Sequence, residues 1–159
     1  MSKLNNGVFS SNSNEWETPQ DLFDALDREF HFTLDPCSSD ENHKCPNYYT
    51  QRENGLMLPW SGSVFMNPPY GSVIKYWIEK AYLESRRPDV DVVVCLIPSR
   101  TDTRYWHDYV MKASEIRLIK GRVRFSGKDA APFPSAIVIF NGSRTPLKVI
   151  SYTWMEDES

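Results

Sequence analysis

The sequence has few cysteines and no long hydrophobic run. Its 159 residues include three cysteines, Cys37, Cys45 and Cys95, an odd number that cannot form a closed disulfide framework and that favours a reducing compartment. No apolar stretch approaches the roughly 20 residues that cross a bilayer. The first 14 residues are polar, unlike a secretory signal. We therefore expect no membrane anchor and a cytoplasmic location.

An excess of positive charge is also missing. The formal net charge of −3 excludes a uniformly basic protein that coats nucleic acid. The two signs are nevertheless segregated, with ten acidic and four basic side chains in residues 1–60 and ten basic and four acidic ones in residues 100–150. The basic stretch contains Arg100, Arg104, Arg117, Lys120, Arg122, Arg124 and Lys128. These cations could neutralise several phosphates if they share a face, and a solvated surface explains them equally well.

The chain shows no internal repeat and no Pro/Gly/Ser linker that would divide it. Its length corresponds to one domain, since globular domains run from roughly 100 to 200 residues. We predict a flexible polar N-terminus over residues 1–14, one domain over residues 15–152 and an acidic tail over residues 153–159.

Hydrophobic periodicity predicts alternating helices and strands, followed by a cluster of strands. Thr18 should cap a first helix with Pro19 at its first position. The predicted helices cover residues 19–30, 73–87 and 102–113; the predicted strands cover residues 32–34, 63–66, 90–97, 116–119, 122–125, 136–140 and 148–152, with residues 37–51 as loop. Such an order is typical of an α/β sheet that is parallel in its first part and ends in an antiparallel C-terminal ribbon.

The segment Asn67-Pro68-Pro69-Tyr70 follows a predicted strand and cannot continue it, because two prolines remove two hydrogen-bond donors. Ligands of open α/β sheets bind at the carboxyl ends of strands. The stiff backbone would hold the Asn67 amide and the Pro68 carbonyl as two acceptors in one plane, which suits an exocyclic NH2 group. The Tyr70 ring would offer a stacking face worth about 1–3 kcal/mol to a base. The simpler alternative is a proline-stiffened turn with a buried tyrosine.

Between Glu15 and about Phe140 the chain contains, in this order, the segments Glu17-Thr18-Pro19, Leu34-Asp35-Pro36-Cys37, Glu53-Asn54-Gly55-Leu56, Asn67-Pro68-Pro69-Tyr70-Gly71, Pro98-Ser99-Arg100-Thr101-Asp102-Thr103-Arg104, Gly121-Arg122-Val123-Arg124-Phe125 and Ala131-Pro132-Phe133-Pro134-Ser135. In these segments and their order it resembles the amino-methyltransferases that use S-adenosylmethionine, and most closely the small phage-encoded, Dam-like DNA N6-adenine methyltransferases. The resemblance implies a compact Rossmann-like methyltransferase sheet.

The resemblance also implies a set of cofactor-binding positions for S-adenosylmethionine. Thr18 and Pro19 resemble the segment that contacts its methionine end. Asp35, Pro36 and Cys37 resemble the end of the first strand, where its amino group is held. Either Glu53 or Asn54 matches the position that hydrogen-bonds its adenine.

For the reaction, Asn67, Pro68, Pro69 and Tyr70 resemble the catalytic segment. The adenine amino group is a poor nucleophile because its lone pair is delocalised into the ring. The Asn67 oxygen and the Pro68 carbonyl would accept both hydrogens of that group and localise the lone pair, while the flipped base stacks on Tyr70.

Further positions are expected to contact the DNA. Phe125 resembles a second aromatic on the far side of the flipped base, and Phe133 is its rival. The arginines expected to hold the phosphates of double-stranded DNA are Arg100, Arg104, Arg122 and Arg124.

The sequence departs from the family's broader pattern after the predicted first strand. Asp35-Pro36-Cys37-Ser38-Ser39 has no glycine, and 31 residues between Asp35 and Asn67 are too few for two strand-helix units. Asp40 or Glu41 would have to substitute for the acid that binds the cofactor ribose. No separate target-recognition domain is visible, and the oligomeric state is open.

The sequence is also compatible with other sites and with other functions. Cys37, His43, Cys45 and His31 could be read as zinc ligands, but their spacing fits no closed site and we expect no metal. Trp77 and Trp106 are expected in the core by their helical phase, whereas Trp60 could be a nucleic-acid platform. The rival functions are methylation of cytosine N4, of a guanine in RNA or of a protein glutamine, and a DNA-binding module that has lost turnover.

Overall fold

The computed structural model describes residues 16–143 and 145–155, which form a seven-stranded sheet with helices packed against it. The predicted N-terminal segment 1–14 and the end of the acidic tail, residues 156–159, lie outside the described residues. The strands are β1 (Leu34–Ser38), β2 (Asn47–Thr50), β3 (Gly62–Met66), β4 (Val90–Pro98), β5 (Glu115–Ile119), β6 (Ser135–Phe140) and β7 (Lys148–Tyr152). The helices are α1 (Gln20–Phe30), α2 (Ile74–Ser85) and α3 (Arg104–Asp108), with a 3₁₀ turn at Val110–Lys112.

The order of the sheet is β2-β1-β3-β4-β6-β5-β7. The strands β2, β1, β3 and β4 are parallel, and β6 runs antiparallel to both β4 and β5. The chain moves from β1 to one side and then returns to β3 on the other side, so the strand order reverses between β1 and β3. Doubly wound Rossmann-like sheets bind ligands in the crevice at this kind of switch point. The predicted α/β architecture is therefore confirmed.

The core forms where apolar helix faces cover the central strands. Leu22, Phe23 and Leu26 recur at helical spacing and are the buried face of α1. The central strands β4 and β6 are buried over nearly their whole length. Such strands read as continuous apolar runs because both faces of the sheet are covered.

Two predicted boundaries near the first strand are wrong. The strand β1 begins at Leu34 instead of Phe32, and it continues through Asp35 and Pro36 to Ser38 instead of stopping before Asp35. The register against β2 shifts between Asp35 and Ser38, and proline is tolerated at such an irregularity because no ladder bond is required there. The segment 37–51 contains β2, a short edge strand whose half-exposed residues carry no apolar pattern.

The first and third helices also differ from their predicted bounds. Pro19 is the N-cap of α1 and makes no capping hydrogen bond, so the helix begins one residue later than predicted. The Thr18 hydroxyl accepts a hydrogen bond from Asn67 instead of capping. The helix α3 ends at Asp108, because Tyr109 leaves helical geometry at φ −125° and a 3₁₀ turn follows.

In the C-terminal half, residues 122–125 do not form a strand, although Val123 and Phe125 are buried and Arg122 and Arg124 are exposed. The side chains of this segment alternate between buried and exposed, although its pairing with the rest of the chain is limited to one bridge between Arg124 and Ala130. The ribbon is antiparallel between β5 and β6, but β7 pairs in parallel with β5.

One cation of the basic stretch belongs to the fold. Arg117 on β5 is 8% exposed, and its guanidinium donates to both carboxylate oxygens of Glu29 and to Glu115. These hydrogen bonds raise the pKa of Arg117 and lower that of Glu29. A guanidinium committed to two carboxylates cannot bind phosphate, so the sequence-based grouping of Arg117 with the other cations is wrong.

No helix in residues 16–143 and 145–155 combines the length and the apolar character needed to span a bilayer.

Candidate active site

A cavity of about 950 Å³ opens at the carboxyl ends of β1 and β3, where the strand order reverses. Cofactor and substrate sites commonly enclose about 300–1,000 Å³. The predicted site residues on its wall are Thr18, Asp35, Pro36, Cys37, Asn67, Pro68 and Pro69. Asp40 and Glu41, the two candidates for a ribose-binding acid, also line it. The structure thus brings the end of the first strand and the Asn-Pro-Pro segment to one space.

The carboxylate of Asp35 is the most strongly perturbed acid on this wall. Its side chain is 4% exposed, and its two oxygens accept the backbone N–H groups of Cys37 (3.2 Å) and Lys44 (3.0 Å). Burial raises the pKa of Asp35 to about 6, against the opposing effect of these two hydrogen bonds. A buried carboxylate that is costly to ionise is a suitable partner for a ligand cation.

The thiol of Cys37 lies beside that carboxylate. Burial and the charge of Asp35 raise the pKa of Cys37, so the thiol stays protonated and is not a reactive thiolate. Its contribution to the cavity is an apolar surface.

Glu53 and Asn54 do not line the cavity. The Glu53 carboxylate accepts the backbone N–H and the hydroxyl of Thr50, which closes the turn after β2. Asn54 adopts φ +63° and its side chain accepts the N–H of Leu56. The neighbours that do reach the cavity from this turn are Thr50, Gln51, Arg52 and Gly55.

Gly55 packs against the end of β1 more closely than any other residue type allows. A Cβ on Gly55 would collide with the carbonyl oxygen of Pro36, and the Gly55 carbonyl accepts the indole N–H of Trp60 at 2.9 Å. The end of β1 has no glycine of its own, and the close approach to its backbone is made by Gly55, which lies in the turn that faces it. Trp60, 1% exposed, is a core residue and not a nucleic-acid platform.

Replacing Gly55 by alanine should lower the free energy of unfolding by about 1–3 kcal/mol, the usual cost of forcing extra atoms into a packed site. The colliding atom is backbone and cannot rotate away. Denaturant unfolding measures this loss, with the exposed Ser61→Ala in the same loop as the control. An unchanged midpoint for the Gly55 variant would contradict the packing.

The amide of Asn67 has a fixed orientation. Its nitrogen donates to the backbone oxygen of Trp16 and to the hydroxyl of Thr18 (2.9 Å), and its oxygen accepts from the hydroxyl of Tyr70 (2.9 Å). Because a carbonyl can only accept, the partner at Trp16 requires the nitrogen on that side. The Tyr70 hydroxyl has one hydrogen and a second acceptor, the carbonyl of Leu96 at 3.1 Å. The Asn67 oxygen therefore keeps a free lone pair.

Tyr70 belongs to a cluster of four rings, with Trp16, Phe125 and Phe133. The Tyr70 ring is 4% exposed, and burial raises its pKa so that the hydroxyl stays a neutral donor. Phe125 and Phe133 both meet it edge-on, with interplanar angles of 86° and 70°. Sequence reasoning selected three of these rings and missed Trp16, although it stands next to the Glu17-Thr18-Pro19 segment.

Pro19 is the N-cap of α1 and does not line the cavity, so its predicted contact with a cofactor has no geometric support. Pro68 is buried and Pro69 half-buried, and both border the cavity next to Asn67.

The four predicted phosphate-binding arginines are all exposed. Arg100 lies over the ring of Phe133, with its guanidinium carbon 5.7 Å from the centroid. Arg124 directly precedes Phe125, and Arg122 contacts the carbonyl of Ala131 at 3.4 Å. Arg104 begins α3. Arg122 and Arg124 thus lie on the segment that carries Phe125, and Arg100 contacts the Phe133 ring from the segment after β4.

The candidate zinc ligands have other partners. Within residues 16–143 and 145–155, no three His, Cys, Asp or Glu side chains are arranged to hold a metal. His43 stacks on Tyr48 at 3.7 Å, and burial raises the pKa of Cys45 to about 12. Trp77 and Trp106 are buried, as their helical phase predicts.

The comparisons with known proteins identify the family. A family model described as DNA N-6-adenine-methyltransferase (Dam) matches residues 7–158. The chain belongs to the Dam family.

Relatives of this Dam-family chain include a DNA N-6-adenine-methyltransferase of Haemophilus phage HP1, 30% identical over 112 residues that cover 67% of this chain and 62% of the relative. The chain thus spans about three fifths of that phage protein. A putative methyltransferase, YfdM, of Escherichia coli K12 is 38% identical over 64 residues, covering 35% of this chain and 70% of the relative.

Among solved structures, a predicted O-methyltransferase from Agrobacterium tumefaciens, protein Atu636, matches with a TM-score of 0.38 and 22% identity over 65% of this chain and 52% of that one.

Proposed function

We propose that this Dam-family chain transfers a methyl group from S-adenosylmethionine to the N6 amino group of adenine in double-stranded DNA. The observation that carries the proposal is the oriented side-chain amide of Asn67, the residue that follows β3, on the wall of the cavity that Asp35 also lines.

The residues at the end of β1 fit S-adenosylmethionine. The buried carboxylate of Asp35 is a partner for the ammonium group of the methionine moiety, and Asp40 and Glu41 offer acceptors for the ribose hydroxyls. When bound, the cofactor supplies an electrophilic methyl group on a sulfonium.

Asn67 and Pro68 prepare the nucleophile. The amide nitrogen of Asn67 is held by Trp16 and Thr18, so the amide oxygen faces the Tyr70 side without rearrangement. The Tyr70 hydroxyl can donate to Leu96, which leaves the Asn67 oxygen free to accept one N6 hydrogen while the Pro68 carbonyl accepts the other. Both hydrogens are then held in one plane, and the nitrogen lone pair is directed away from it. Fixed acceptors cost no reorganisation at the moment of transfer.

The target base has to leave the duplex to reach this position, because a base within the helical stack is inaccessible. The unstacking cost of a few kcal/mol is offset by stacking on the ring cluster. The exposed arginines beside the cluster would hold the flanking phosphates.

Sequencing DNA from cells that express this chain, with detection of N6-methyladenine, tests the proposal directly. Purified chain with labelled S-adenosylmethionine and DNA, RNA or protein as acceptor tests the substrate class. New N6-methyladenine together with label in DNA supports the proposal. Label confined to RNA or to protein would overturn it.

Replacing Arg124 by alanine should weaken DNA binding at all sequences and reduce the salt slope by about one, because one phosphate contact releases about one counterion. Fluorescence anisotropy of labelled duplexes at several salt concentrations measures both quantities. Lys148→Ala is the matched control, since Lys148 is an exposed cation on β7 at the far end of the sheet. A salt slope of Arg124→Ala equal to that of the intact chain would show that Arg124 makes no phosphate contact.

A further inference from the structure

We propose that the indole of Trp16 occupies the place of the flipped adenine in the DNA-free protein and is exchanged for the base when DNA binds. The inference rests on the proposed function, because it concerns the base pocket of that same site. Trp16 would then act as an internal stand-in for the substrate.

The first observation is the relative orientation of the rings. Trp16 lies nearly parallel to Tyr70, with an interplanar angle of 19° and a centroid separation of 6.5 Å. Phe125 and Phe133 meet the Tyr70 ring edge-on instead. They also meet Trp16 edge-on, at 5.5 Å and 5.1 Å. Trp16 therefore has the orientation expected of a base that stacks against Tyr70, with the two phenylalanine edges around it.

The second observation is shape. Indole and purine are both planar bicycles of one five-membered and one six-membered ring. The space that the Trp16 side chain would vacate thus has the outline of adenine, and the walls that remain are the aromatic edges and faces that stabilise a base by stacking.

The third observation is burial. Tyr70, Phe125 and Phe133 are 4%, 1% and 7% exposed, whereas Trp16 itself is half-buried and lines the cavity. The Tyr70 ring, whose face the proposed function requires, is thus almost fully covered by its neighbours, and among its partners in the ring cluster Trp16 is the one that lies nearly parallel to it. Trp16 can move toward solvent without opening the core, because part of its surface is already exposed.

The backbone of this segment is anchored, so the exchange needs a rotation of one side chain. The Trp16 carbonyl accepts from Asn67, and the Glu17 carbonyl accepts from the backbone N–H of Ser126 at 3.0 Å. Rotation of the indole leaves both bonds in place, and with them the orientation of the Asn67 amide. The exposed ammonium of Lys128 lies 5.0 Å from the centroid of the Trp16 ring, a cation–π contact that a DNA phosphate would compete for.

The test uses the free nucleoside of 2-aminopurine, a fluorescent adenine analogue whose emission is quenched when it stacks. Its affinity is measured for the intact chain and for Trp16→Ala, Trp16→Phe and Trp154→Ala. Removing the indole should tighten binding at least about tenfold, and the smaller phenyl ring should give an intermediate value. Trp154→Ala is the control for loss of a tryptophan, since Trp154 does not line the cavity, and it should leave the affinity unchanged.

An unchanged or weaker affinity of Trp16→Ala for the nucleoside would overturn the inference. Removing a stand-in frees the pocket and strengthens binding, whereas removing an aromatic residue of the pocket wall does not. Thermal melts establish that each variant is folded, and Trp16→Phe provides the comparison if the alanine variant is not. A second substitution, Tyr70→Ala in the Trp16→Ala background, should reverse the gain.

The outcome is separable from that of the proposed function. Methylation of DNA by the intact chain without tighter nucleoside binding by the Trp16 variants refutes the stand-in and keeps the activity. Tighter nucleoside binding without any methyl transfer supports the stand-in and refutes the activity.

Discussion

Asn67→Ala should reduce methyl transfer into DNA by at least about 10²–10³-fold, the usual effect of removing one preorganised polar group from a reacting centre. The variant loses the acceptor for one N6 hydrogen, whereas Asp35 and the rest of the β1 end are unchanged. The affinity for S-adenosylmethionine should therefore stay within a few-fold of that of the intact chain. Incorporation of labelled methyl groups and calorimetric titration of the cofactor measure the two quantities.

The hydroxyl of Thr18 provides a control for the orientation of that amide. Thr18 is 2% exposed, and its oxygen accepts from the Asn67 nitrogen at 2.9 Å. Thr18→Val removes this acceptor and should lower kcat with little change in KM for DNA, while Thr18→Ser keeps the hydroxyl and should retain most of kcat. Near-normal turnover by Asn67→Ala would refute the role of the amide whatever the Thr18 variants do.

Asp35→Asn should weaken S-adenosylmethionine binding roughly 10–100-fold at neutral pH, since a hydrogen bond to a charged group contributes about 1.5–3 kcal/mol. The pKa of Asp35 is about 6, so the intact chain should also lose affinity as the pH falls below that value and the carboxylate is neutralised. The variant should show no such loss. Titrations of the cofactor between pH 5 and pH 8 measure both effects.

Through Asp35, a rise in pH should lower the stability of the fold, whereas it should strengthen the binding of the cofactor. Folding raises the pKa of Asp35 from 3.8 to about 6, so the folded state binds the proton more tightly than the unfolded state does. The contribution of Asp35 to the free energy of unfolding should therefore fall by about 3 kcal/mol as the pH rises from about 4 to about 6, at about 1.36 kcal/mol for each pKa unit, and it is measured as the difference between the intact chain and Asp35→Asn. In Asp35→Asn this contribution disappears, although the amide loses one of the two backbone hydrogen bonds.

Asp24→Asn is the control for both measurements. Asp24 is an exposed carboxylate on α1 that accepts from Gln20 and does not line the cavity. Denaturant unfolding at pH 4, 5, 6 and 7 should give nearly the same curve for this variant as for the intact chain. Retention of the pH-dependent fall by Asp35→Asn would show that another group causes it.

The short connection between β1 and β3 explains how the cavity is built. The residues between them form β2 and turns but no helix, so one wall of the cavity consists of residues 38–42, Lys44, residues 50–52 and Gly55. Those turns are held by their own side chains, as when Glu53 closes the turn at Thr50. The close approach at Pro36 is supplied from this wall by Gly55. The first half of the fold can therefore enclose a cavity large enough for the cofactor, although no helix connects β1 to β3.

The sequence determined the architecture and the central segment of the site. Continuous apolar runs such as β4 predict buried parallel strands, because both faces of the sheet must be covered. The Asn67-Pro68-Pro69-Tyr70 segment was assigned to a strand end because two prolines cannot continue a ladder. These inferences depend on local chemistry, which the order of residues contains.

Tertiary structure decided which distant residues meet. Arg117 looks like the neighbouring cations in the sequence, and its contact with Glu29 depends on how α1 packs on the sheet. Glu53 and Asn54 match a family segment, yet the turn directs Gly55 to the cavity instead. Trp16 reaches Tyr70 because its backbone is tied to Asn67, 51 positions along the chain. Contacts between side chains so far apart depend on packing, and no local pattern of residues specifies them.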